Sequence, residues 1–142
     1  MNKKIIAIFI FIAVTIILLL LLHPSSVVTI ELQRESLSTT GATIIITDKG
    51  FQKHGWGAEY FLQVKENGEW KRLEPLSYIP NPDSIFPLFD YSLNEHDQLI
   101  QTLDWSNHYG ELQNGIYRIV KIGFDPKTDE EVYFYSEKFE IK

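Results

Sequence analysis

The chain has 142 residues, a formal charge of −6 and no cysteine. That length allows one domain plus a short extra element, and the missing thiol excludes disulfide frameworks, thiol catalysis, zinc ribbons and lipid attachment through cysteine. Setting aside Lys3 and Lys4, which precede a hydrophobic run, leaves about −8, the wrong sign for a nucleic-acid surface or for docking on anionic lipid.

Residues 1–4 form a short polar, positive start. From Ile5 to Leu22 no residue is charged, and all but Ala7, Ala13 and Thr15 are Ile, Leu, Phe or Val. As a helix this run spans about 27 Å, close to a hydrocarbon core of roughly 30 Å. It lacks the polar stripe of a soluble core helix. The pattern therefore predicts one transmembrane helix over 5–22, with the lipid bilayer as its partner. Beyond it the first cation is Arg34, so the positive-inside tendency keeps residues 1–4 cytoplasmic and sends the rest out of the cell. Residues 23–27 make a short linker. Pro24 would stand three residues before a cut after Ser26, a poor cleavage site. An uncleaved signal-anchor is the preferred expectation, and a secreted domain is the alternative.

Residues 28–142 are expected to form one all-β domain. Val28, Ile30 and Leu32 alternate with polar neighbours, the period of a half-buried strand. Ala42–Thr47 is β-branched almost throughout and reads as a central strand. Asp48–Gly57 reads as a glycine-rich loop. Tyr60, Leu62 and Val64 lead into Asn67-Gly68, a strong hairpin signal, and Trp70–Leu73 returns. A two-residue turn would set Glu66 against Glu69, a like-charge pair, which leaves the register open. Pro75, Pro80, Pro82 and Pro87 suit an irregular crossover. Strands are expected again over Asp97–Trp105, Ile116–Phe124 and Val132–Ile141. About seven short strands separated by turns indicate a β-sandwich.

Leu112-Gln113-Asn114-Gly115-Ile116-Tyr117 has the L-x-x-G-x-Y spacing of a tyrosine corner, the brace of a Greek-key crossover. Together with Gly57-Ala58-Glu59-Tyr60, Asn67-Gly68-Glu69-Trp70 and the run Asp104–Lys121, this resembles a bacterial immunoglobulin-like domain family of exported and membrane-attached Gram-positive proteins. The similarity extends over most of 28–141. It implies an immunoglobulin-like Greek-key sandwich at the cell surface, with no catalytic residues to carry over. Members usually carry Pro before the corner glycine; here Asn114 stands there, a residue that also tolerates turns. Many members are cysteine-anchored lipoproteins, which this chain cannot be.

Candidate sites are sparse. His23, His54, His96 and His108 form no H-x-H or H-x-x-x-H pair, so no metal and no cofactor is expected. Asp125, Asp129, Glu130 and Glu131 lack the order of a calcium loop and read as solvated turn charges. Asp104, Ser106 and His108 hold the residue types of a hydrolase triad, yet they crowd one turn without a nucleophile elbow. Trp56, with Phe51 and Tyr60 nearby, is the candidate binding-loop aromatic; the ordinary alternative is that it folds back to cap the core. Trp70 opposite Lys65 suggests a surface cation–π pair. Tyr117, Trp105, Gly115 and Leu112 read as structural. The expectation is a non-enzymatic, membrane-anchored module contacting a membrane protein or the cell wall, with a structural spacer or accessory subunit as the alternative.

Overall fold

Alternation of branched apolar and polar side chains builds the first sheet. Ile30 and Leu32 of β1 (Val28–Gln33) turn inward, as do Ala42, Ile44 and Ile46 of β2 (Gly41–Asp48) and Leu99 and Leu103 of β5 (Gln98–Asp104). The strands pair antiparallel in the order β1-β2-β5. Ile46 lies opposite both Ile30 and Leu99, so one apolar row crosses the sheet. These elements come from a computed structural model that describes residues 28–76 and 91–142, with Ile12 as an isolated position.

The second sheet holds β3 (Gly55–Glu66), β4 (Glu69–Arg72), β6 (Gly115–Phe124), β7 (Glu131–Tyr135) and β8 (Phe139–Ile141). Its order is β4-β3-β6-β7, and β8 pairs with the first part of β6. The chain changes sheets between β2 and β3, between β4 and β5 and again between β5 and β6, which is Greek-key connectivity. Between the sheets Ile44, Ile46, Leu62, Trp105 and Ile119 are fully buried. Each such side chain contributes roughly 1.5–3 kcal/mol.

Asn67 (φ 51°) and Gly68 (φ 86°) form a two-residue turn with both central residues in the left-handed region. Glu66 and Glu69 are therefore paired across it. Lys71 offsets that repulsion, its Nζ lying 3.0 Å from Glu66 Oε2.

Three expectations need correction. The loop predicted over Asp48–Gly57 is shorter, because β2 runs to Asp48 and β3 begins at Gly55. A register shift between Trp56 and Tyr60 breaks the period-two pattern there and hides the strand start. The last predicted strand is split. Ser136 Oγ accepts from the Ile119 N–H at 2.9 Å while the Ser136 N–H donates to the Ile119 carbonyl, so a hydroxyl stands in for a ladder carbonyl. A four-residue helix, α1 (Ser106–Tyr109), follows β5 where the pattern predicts none, with Asp104 Oδ1 accepting the Ser106 N–H. The predicted transmembrane segment 5–22 apart from Ile12, the linker, and Pro80, Pro82 and Pro87 lie outside the described residues. No helix among the described residues is long and apolar enough to cross a membrane.

Candidate functional site

The corner residues converge on one aromatic stack. Tyr117 on β6 donates its hydroxyl to the Gln113 carbonyl at 2.8 Å. Burial pushes that phenol upward. A Cβ on Gly115 would lie 3.2 Å from the Tyr117 ring, a tight contact that would push the ring by a few tenths of an ångström. Trp105 donates Nε1–H to the Thr39 carbonyl at 2.9 Å and stacks on Phe139, which also stacks on Tyr117. Leu112 is buried in the same core. Except for the partly exposed Gly115, these residues offer nothing to solvent.

Trp56, Phe51 and Tyr60 do not form one surface. Trp56 lies within β3, is 2 % exposed and packs on Phe134 at 5.1 Å; its indole is a core group. Phe51 is 99 % exposed. Tyr60 is half-buried, donates to the Asp104 carbonyl at 3.1 Å, and burial raises its phenol. At this end Asp48 is fully buried and accepts from the Gly50 N–H, the His54 N–H and His54 Nδ1. Burial alone would raise that carboxyl, but the bonds from His54 and Gly50 outweigh it and hold it below the usual carboxylate range. The pair anchors the turn before β3.

Lys121 is fully buried on the inner parity of β6. Its ammonium donates to the carbonyls of Gly57 and Glu59, within the irregular stretch of β3. Burial lowers it to about 8, opposed by the nearby Glu59. The side chain supplies donors to carbonyls that the bulge takes out of the ladder.

The outer face of the second sheet carries a different chemistry. Register sets Arg72, Gln63 and Arg118 in one row across β4, β3 and β6, with Phe61, Val120 and Tyr135 in the next. The Arg118 guanidinium lies 4.4 Å from the Trp70 ring centre and 4.3 Å from that of Tyr135, and its Nε–H donates to Gln63 Oε1 at 2.7 Å. Arg72 covers Phe61 at 4.1 Å, and Phe61 meets Tyr133 edge-on. Lys65 lies 5.8 Å from Trp70, a looser contact than that of Arg118. Beneath this layer Val120 is 0 % exposed despite its outward parity, while Tyr135 remains 52 % exposed. Each cation–π contact contributes about 0.5–1 kcal/mol at an exposed site. The sequence reading reached only the Lys65–Trp70 pair; the outward parity of β6 and β7, once registered, carries the rest.

The acidic and histidine clusters have local explanations. Asp104 Oδ1 accepts both the Ser106 hydroxyl, at 2.6 Å, and the Ser106 N–H, so the carboxylate closes the turn before α1 and is engaged locally. Those bonds lower the Asp104 carboxyl. Asp125 accepts from the Lys127 and Thr128 N–H groups and closes its own turn. No group of three metal-ligating side chains occurs among the described residues.

Two packed antiparallel sheets in Greek-key order, braced by a tyrosine corner, define an immunoglobulin-like sandwich. Residues 24–140 match the family model for the bacterial Ig-like domain, and the chain belongs to that family. No curated protein and no solved structure matches it.

Proposed function

We propose that the chain is a membrane-anchored, extracytoplasmic, non-enzymatic module that makes protein or cell-envelope contacts through the outer face of its second sheet. One observation carries the choice of face. Arg72, Arg118, Trp70, Tyr133 and Tyr135 are held there by mutual contact, with two half-exposed tyrosines at the surface. Such a layer presents aromatic area and cationic donors at little further ordering cost. Membership in the bacterial Ig-like family supports a binding module rather than a catalyst. The uncharged run 5–22 and the lysines before it support the anchor and its orientation.

A photo-activated cross-linker placed at Tyr135, and separately at Ile100 on the other sheet, tests this in intact cells. Reproducible adducts from Tyr135 alone are expected, on a chain that external protease reaches. Equal labelling from both positions, or no adduct from Tyr135, contradicts the contact role and favours a spacer.

A further inference from the structure

We infer that the outer face of the second sheet binds an anionic, phosphodiester-linked polymer of the cell envelope; this rests on the contact role proposed above. The domain carries an acidic surplus, and four of its cations are paired: Arg34 with Glu137, Lys53 with Asp97, Lys71 with Glu66 and Lys142 with Glu140. Lys65, Arg72 and Arg118, like Lys49, Lys127 and Lys138, have no carboxylate within ion-pair range among the described residues. What distinguishes Lys65, Arg72 and Arg118 is that register gathers all three on this one sheet face.

Arg118 is fixed by its neighbours rather than neutralised. A guanidinium has five N–H donors, and among the described residues Nε–H goes to a protein acceptor, Gln63 Oε1. The remaining donors sit between the Trp70 and Tyr135 rings in the planar, stacked arrangement that suits bidentate recognition of phosphate oxygens. Arg72 lies two strands away in the same row, at about 10 Å from the usual strand spacing. An extended polyanion crossing the strands meets both cations, and its sugar or polyol units pass over Tyr133 and Tyr135.

A protein partner fits this face less well. Protein hot spots are apolar anchors seated in desolvated pockets. Here the central apolar residues, Val120 and Phe61, are already buried beneath the cationic and aromatic layer. What reaches the surface is N–H donors and phenols on a flat sheet, with one carboxylate, Glu131, at its β7 edge, where it accepts the Tyr133 hydroxyl at 3.1 Å. Complementary charge is therefore the attraction on offer, and it suits a chain of phosphates.

The test uses the full chain in neutral detergent with immobilised polyglycerol phosphate, neutral dextran and poly-glutamate as probes. The expected result is binding to polyglycerol phosphate, absent with dextran, that weakens steeply from about 50 to about 200 mM salt. The double variant Arg72→Gln/Arg118→Gln is expected to lose about tenfold or more, and Lys65→Gln, which leaves the stack intact, about threefold. Arg34→Gln, away from this face, is expected to bind as the parent does. Absence of polymer binding, an equal loss in Arg34→Gln, or stronger binding to poly-glutamate each overturns the inference. If Tyr135 still cross-links in cells after such a result, the contact role stands and only the ligand class is wrong; if that cross-link is missing too, both fail.

Discussion

The two outer faces of the sandwich obey the same period-two alternation and end with opposite surfaces. On the first sheet Thr29, Thr43, Thr47, Ile45, Ile100 and Thr102 point outward, and the cross-strand side-chain bonds join Thr43 with Thr102 at 3.1 Å and Gln98 with Thr47 at 3.4 Å. Ile100 is left 57 % exposed. On the second sheet guanidinium groups and rings interlock, and Val120 at the equivalent outward parity is sealed. A β-branched surface needs nothing beyond strand propensity to explain it. A surface that orders two arginines against three rings goes beyond what a strand needs, and that difference directs attention to β4, β6 and β7 as the working face.

The comparison supposes that both faces rest on one shared core, and the largest expected effect probes that support. Trp105→Ala removes a fully buried indole and its bond to Thr39, and should cost about 3–5 kcal/mol by denaturant unfolding, loosening both sheets together. Loss confined to one sheet would break the idea of a common core.

Lys121 supplies the next effect, specific to the second sheet. Burial lowers its pKa to about 8 in the fold from the ordinary lysine value of 10.5, so the unfolded chain holds more protons between those values. Stability should therefore rise with pH from about 8 to about 10, by on the order of 2 kcal/mol at most. Above that window burial has raised Tyr60, Tyr109 and Tyr117, and the stability they contribute is lost as pH climbs past the unfolded tyrosine value. Thermal unfolding of Lys121→Met across pH 7 to 10 should give a flatter profile than the parent; an identical slope would remove Lys121 as the cause.

Smaller again, Tyr117→Phe deletes the hydroxyl that braces the corner and should cost about 1 kcal/mol. The sharpest contrast between the faces comes from paired surface changes. Arg118→Ala should cost about 1 kcal/mol and couple to Trp70→Ala in a double-mutant cycle, because the two groups touch. Thr102→Ala on the other sheet should stay within about 0.5 kcal/mol. Similar costs on both faces would erase the distinction.

Much of the fold was legible because alternation and turn chemistry are local. Ile44 and Ile46 declare a central strand, Asn67-Gly68 declares the hairpin, and the spacing from Leu112 to Tyr117 marks the corner. The misreadings are places where a non-local contact overrides the local pattern. Gly55 and Trp56 look like loop because the bulge before Tyr60 spoils the alternation, and the bulge is held by Lys121, more than sixty residues away. Ser136 interrupts the last strand because its hydroxyl takes the Ile119 N–H. Lys121 itself shares inward parity with Tyr117 and Ile119, a signal outweighed by the habit of assigning lysine to solvent. The arginine–aromatic face required the register of four strands; the β3–β4 and β6–β7 pairs are local hairpins, but the β3–β6 pairing that joins them links residues more than fifty apart.

Hydroxyl-radical footprinting of the chain in intact cells, against the purified chain in detergent, measures both faces at once. The account predicts that Trp70, Tyr133 and Tyr135 lose reactivity in cells while Ile100 keeps it. Unchanged reactivity at the tyrosines, or protection that falls on Ile100 instead, would contradict the assignment of the second sheet as the contact surface.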